Sequence, residues 1–178
     1  LSEVLKSVVP RKSLEKTHQS IAGILENEFK ESSDPILAER LTHHLIRSNA
    51  AKSHCVKYFF IAIEHLKKAN LFRQAWNLLE KALERDCISL DDWKVRSNHY
   101  ELLYLTGQLD RSIESIKEAL KQNPEIRYEA HLELFLGRVL SIQGRINESI
   151  QHLEKALEIS IGLCDFRKIF DIKCDLLN

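Results

Sequence analysis

Apolar residues recur along this chain at steps of three and four, and no stretch alternates apolar with polar residues in the manner of a strand. Leu109, Ile113, Ile116 and Leu120 keep helical spacing with Asp110, Arg111, Glu114 and Lys117 between them, so one face of that segment is buried and the other is wet. The breakers agree. Only five glycines and three prolines occur, and most fall where helices would start or stop. Pro35 behind Asp34 and Pro124 behind Asn123 suit a helix's first turn, where the missing amide loses no hydrogen bond and the preceding side chain caps free N–H groups. Helices are therefore expected to begin near 35 and 124. Gly107 and Gly144 follow apolar-periodic stretches and fit the left-handed residue that ends a helix; asparagine tolerates that conformation too, which explains Asn70 at the equivalent place. Ser89-Leu90-Asp91-Asp92 reads as a capping box with aspartate in place of glutamate, opening the helix that holds Trp93. Together these signals predict helices over 11–30, 35–48, 52–69, 71–85, 90–106, 109–122, 125–143, 146–160 and 165–177. No β-sheet is expected, and the short turns force successive helices to run antiparallel.

Three stretches starting at 70, 107 and 144, and therefore 37 residues apart, align without a gap. Each carries two small residues around a large one: Ala75 and Ala82 around Leu79, Ser112 and Ala119 around Ile116, Ser149 and Ala156 around Leu153. A fixed period of this size marks an array of helix pairs, each of which buries its apolar face only by stacking on its neighbours. Two helices approach closely only where side chains are small, and a large residue must fill the space left between them. Ala82, Ala119 and Ala156 are expected at such contacts.

This arrangement resembles the tetratricopeptide repeat. The third copy is fullest, with Leu136-Gly137, Leu140, Gly144, Ser149, Leu153 and Ala156 at the family's positions, and the second copy ends on Pro124, where the family often has proline. Tyr100 and Ile63 stand where the close-packing glycine of the first helix usually sits, so those pairs are expected to be more widely spaced. The resemblance implies an all-α fold, a right-handed superhelical stack of antiparallel helix pairs whose first helices line a concave side. Carrying the family's inward-facing positions across puts Lys57, Glu64 and Lys67 on that side in one repeat, Lys94, Ser97, Glu101 and Tyr104 in the next, and His131, Leu134 and Arg138 in the third. A mixed-charge groove with Tyr104 near its centre would hold a peptide or a neighbouring domain.

The first half is similar to something narrower. The stretches Leu14–Glu26, Leu41–Leu45 and Cys55–Ala62 resemble the start of the helical region in large signalling ATPases of the STAND class, whose relatives include cyclases, kinases and transcription activators. On that resemblance residues 1–34 are the tail of a preceding domain and 35–178 are repeats. The first, about 35–69, is degenerate; clearer ones have second helices at 71–85, 109–122 and 146–160, and a further repeat opens at 163–178. Its helix would expose Ile169, Phe170 and Leu177 unless more chain or a second copy covers them. The chain starts at Leu1 and contains no methionine, so it is expected to be a piece of something longer.

Composition narrows the function. With 26 basic and 26 acidic residues the net charge is zero, so no global field draws in nucleic acid or an anionic membrane. Apolar runs such as Tyr58–Ile63 fall well short of the roughly 20 residues that span a bilayer. Four irregularly spaced cysteines do not make the disulfide framework of a small secreted domain, and fit a reducing cytoplasm. The five glycines are too scattered for a phosphate-cradling loop, so no nucleotide cofactor is expected. Eight histidines raise the question of a metal, with His43, His44 and His54 the nearest group. No HExxH or paired CxxC occurs, though, and adjacent helical residues point about 100° apart, so packing or capping roles are expected instead. Asp91-Asp92 suit a helix's first turn, and nothing in the sequence places a base beside Cys164 or Cys174. The expectation is a non-catalytic, cytoplasmic interaction and regulatory scaffold within a multidomain signalling protein, with a protein, a peptide or its own neighbouring domains as partner. The alternative is a free-standing adaptor that binds a partner peptide.

Overall fold

The structure is a computed structural model and describes residues 11–48, 50–122 and 124–177. Among these residues the regular structure is helical throughout, without strands: α1 (Arg11–Ser32), α2 (Pro35–Arg47), α3 (Lys52–Lys68), α4 (Phe72–Glu84), α5 (Trp93–Leu105), α6 (Leu109–Lys121), α7 (Ile126–Ile142), α8 (Ile146–Gly162) and α9 (Phe166–Leu177). The proposed domain-tail segment is described only from residue 11, its first ten residues lying outside the described set. No described helix is long and apolar enough to cross a membrane.

The helix ends follow the breakers, with two corrections. Asp34 caps α2, its Oδ1 accepting from the Ile36 amide at 2.9 Å, and Pro35 occupies the first turn as expected. Pro124, by contrast, precedes α7, which starts at Ile126; the expected cap Asn123 lies outside the described residues. The capping box ahead of α5 is also rearranged. Asp92 is the residue whose carboxylate caps, accepting from the Lys94 amide at 2.8 Å, while Ser89 Oγ accepts from the Asp91 amide and donates to the Asp91 carboxylate. The four-residue turn closes on itself and α5 begins at Trp93 rather than at 90, because an aspartate immediately before the helix caps without needing a serine three residues earlier.

The predicted stops share one geometry. Asn70, Gly107 and Gly144 have φ of 58°, 81° and 77°. In each case the left-handed residue's amide reaches back three residues and the next amide reaches back five, as in Asn70 to Lys67 and Leu71 to Leu66, the pattern that satisfies the last carbonyls of a helix. Asp86 and Cys164 make the same paired bonds with φ of 54° and 53°, although neither residue type announces it.

The chain divides into two compact units, one running through Leu102 and the other starting at Leu103. In the first, α1 lies along α2, α2 packs on α3, and α3 on α4. Its core holds Leu41 and Ala38 of α2, Tyr58, Phe59, Ala62 and Ile63 of α3, and Ala75, Leu79 and Ala82 of α4, all without solvent exposure. Glu26 of α1 ties into α3 by accepting from Tyr58 Oη at 2.9 Å, and it lies 3.1 Å from His54 Nε2. In the second unit α6 packs on α7, α7 on α8, and α8 on α9. The approach of α7 to α8 centres on Gly137. A Cβ there would lie 2.7 Å from Leu153 Cγ and 3.2 Å from the Ser149 carbonyl oxygen, and Ser149 Oγ donates to the Gly137 carbonyl at 2.8 Å. Ser112, Ile116, Ala119, Ser149, Leu153 and Ala156 are all buried in this unit. The large residues that replace the glycine in earlier copies, Ile63 and Tyr100, are also fully buried.

Candidate functional site

The sequence assigns ten residues to a binding face, and the structure sorts them into a charged group in the first unit and an aromatic group in the second. Lys67 of α3 organises the charged group. Its Nζ lies 2.9 Å from Glu64 Oε1 on the same helix and donates to Glu101 Oε2 at 2.8 Å and to Asn98 Oδ1 at 3.1 Å, both on α5. Partial burial pushes the ammonium's pKa down, but the hydrogen bonds to Glu101 and Glu64 outweigh it and hold the group above the ordinary lysine value. Lys57 and Lys94 rest over aromatic rings, 5.1 Å from the Tyr58 centroid and 5.8 Å from that of Trp93, with Lys57 and Lys94 themselves exposed. Ser97 accepts from Tyr100 Oη at 3.1 Å.

In the second unit Tyr104 meets the Phe135 ring edge-on, with centroids 5.5 Å apart and planes at 79°. Phe135 in turn lies 6.4 Å from the His131 ring, and His131 lies 6.5 Å from Tyr128, both pairs nearly parallel. These four rings are half-buried, so their faces and edges remain partly open to solvent. Tyr104 and His131 were assigned by sequence; Tyr128 and Phe135 were not. Their signal was present in steps of three and four through 128, 131 and 135, which place the three residues within one arc of α7.

Leu134 requires correction. It is 5% exposed and belongs to an apolar cluster with Leu153, Ala156 and Ile172, so it is a core residue and not a contact for a partner. The reason is angular. At about 100° per residue, position 134 falls about 60° to one side of His131, whereas 128 and 135 fall to the other, and the first side faces α8 and α9. Arg138 remains exposed but donates from Nε to Asp175 Oδ2 of α9 at 2.6 Å. Next to Leu134, Glu133 is buried and bonded to α8: Lys155 Nζ donates to Oε1 at 2.6 Å, and His152 Nδ1 lies 2.6 Å from Oε2. Burial raises this carboxyl's pKa, but the hydrogen bonds from His152 and Lys155 overcome that and bring it below the usual value. Among the described residues, no three His, Cys, Asp or Glu side chains are gathered so as to hold a metal ion.

The stretch that contains the Gly137 contact, the Gly144 stop and the small-large-small run of α8 is the one that known families match. Residues 134–160 match the tetratricopeptide repeat. Residues 134–160 thus hold a tetratricopeptide repeat, and the described residues around them are all-helical, as in helical-repeat proteins. Among solved structures it is similar to BtubC (BKLC) from P. vanneervenii, at 16% identity and a TM-score of 0.52, over 92% of this chain and 63% of that one. The chain therefore spans under two thirds of that protein's length. A further match, the MamA RS-1 ArsTM double mutant, has 16% identity and a TM-score of 0.47 over 86% of this chain and 98% of the other. No curated protein sequence matches the chain. Tetratricopeptide repeats generally bind protein partners.

Proposed function

We propose that the chain is a non-catalytic scaffold that holds a peptide or a neighbouring domain against the α7 face carrying Tyr128, His131 and Phe135, with Tyr104 at its edge. The observation that supports this is the run of half-buried rings in the second unit. Rings that are partly buried but not covered offer large contact area with little side-chain freedom to lose, which is why aromatic residues concentrate binding energy. The neighbouring Arg138, although engaged with Asp175, is exposed and gives the face a cationic edge.

The resemblance of the first half to STAND-class ATPases supports placing this scaffold within a larger multidomain signalling protein, where the bound element would be held in one state until a ligand or partner shifts it. A free-standing adaptor would use the same face. Selection of a random peptide library against the chain tests the binding assignment. Selected peptides should bind Phe135→Ala and His131→Ala chains about tenfold or more weakly than the parent, since losing one anchor of 1.4 kcal/mol is a factor of ten. Equal affinity for parent and variants would place binding elsewhere.

A further inference from the structure

The first unit carries a concentration of positive charge that the aromatic face does not explain. Arg40, His44 and Arg47 follow one another on α2 at steps of four and three, which places them in one stripe of the helix. His18 of α1 meets that stripe, with its Nδ1 2.9 Å from His44 Nδ1 and the ring centroids 5.0 Å apart. Both imidazoles are half-buried, and both arginines are exposed. Among the described residues neither arginine is paired with a carboxylate. The charges that act on the rings are all cationic. Burial and then Arg47 push His18 down; burial, His18, Arg47 and Arg40 push His44 down. His43, beside them, is lowered by burial, Lys81 of α4, Arg47 and His44.

Converging cations without a counter-charge repel one another, and an anion between them removes that repulsion. The contact between the rings has the same implication. A hydrogen bond between two Nδ1 atoms needs one N–H and one lone pair, so a second proton breaks it and leaves two donors directed at the same space. Two imidazoles could also chelate a metal, but Arg40 and Arg47 oppose a cation there. We propose that His18, His44, Arg40 and Arg47 form a binding site for a phosphate group. Guanidinium donors match phosphate oxygens, and a phosphate monoester gains its second negative charge near pH 6, in the range where histidines protonate. This proposal rests on none of the α7 residues and stands or falls independently of the binding assignment made for them.

The test is histidine-ring NMR at pH 6.5 with the whole chain, titrated in turn with inorganic phosphate, with capped phosphoserine and with chloride at matched ionic strength. Saturable shifts of the His18 and His44 resonances with the two phosphates, weakened about tenfold or more in Arg47→Glu and in Arg40→Glu, are expected. Tighter binding of capped phosphoserine would identify a protein-borne phosphate as the ligand, and tighter binding of inorganic phosphate the free anion. Because both arginines are exposed, the variants should keep the parent's circular dichroism. Shifts that chloride reproduces, or phosphate binding unchanged in both folded variants, would overturn the proposal.

Discussion

At position 137 one hydrogen atom sets how closely α7 and α8 approach. A methyl group there would meet Leu153 at 2.7 and 2.8 Å and the Ser149 carbonyl at 3.2 Å, and backbone cannot give way as a flexible chain end does. Gly137→Ala is therefore expected to destabilise by about 1–3 kcal/mol, through overpacking. Gly23, exposed on the open side of α1, has nothing within 4 Å of its notional Cβ, so Gly23→Ala should stabilise by about 0.5–1 kcal/mol through helix propensity alone. Urea midpoints for the two variants check this, and shifts in the same direction would contradict it. The same contrast applies to Ala119, buried at the α6 contact, and Glu114, exposed on the same helix. Ala119→Leu should lower the midpoint by about 1–3 kcal/mol and Glu114→Ala by less than about 0.5. Gly137 was legible in sequence because a leucine-glycine pair stood at a fixed distance before a helix stop. Leu134 was misread because a position on a helix says which arc a side chain occupies, not which neighbouring helix covers that arc.

Among the helices, the stops and the last helix offer the sharper tests. Left-handed backbone disfavours a Cβ by roughly 1–2 kcal/mol, and glycine gives back part of that gain through its greater freedom when unfolded. Gly107→Ala should thus destabilise by about 1 kcal/mol, whereas Cys164→Gly, which removes a Cβ from φ 53°, should stabilise by up to about 1 kcal/mol. Thermal unfolding of both would show opposite shifts. α9 presents two contrasting faces. Ile172 is buried with Leu134, Leu153 and Ala156, while Phe166, Phe170 and Leu177 are 78%, 69% and 87% exposed. Ile169, expected in the open, is half-buried. Ile172→Ala should cost about 2–5 kcal/mol and Phe170→Gln less than about 0.5, as measured by urea denaturation.

Across the whole molecule, the shifted groups define how stability responds to acid. His18, His43 and His44 titrate below 6.5 in the folded chain, so below that pH the unfolded chain binds more protons and stability falls. Glu26 and Glu133 titrate below 4.5 when folded, and their contribution is present above that value and lost as pH drops through their folded pKa. The unfolding midpoint should therefore stay level above pH 6.5, begin to fall below it, and fall further below 4.5. Replacing His18 and His44 together with glutamine should lessen the first decline, leaving the share that His43 carries, and should leave the second, a result that midpoints measured from pH 7.5 to 3.5 would show. A first decline unchanged in that variant would mean that other groups carry it.

The sequence by itself determined the helical class, the 37-residue period, most helix ends and the small residues at the helix contacts, because spacing, caps and left-handed stops are local properties of a few consecutive residues. Only the tertiary structure decided that Leu134 turns to the core, that Glu133 is held by His152 and Lys155, and that His18 meets His44. Those pairings join residues 19 to 38 positions apart. They depend on which faces pack, and no local pattern encodes that choice.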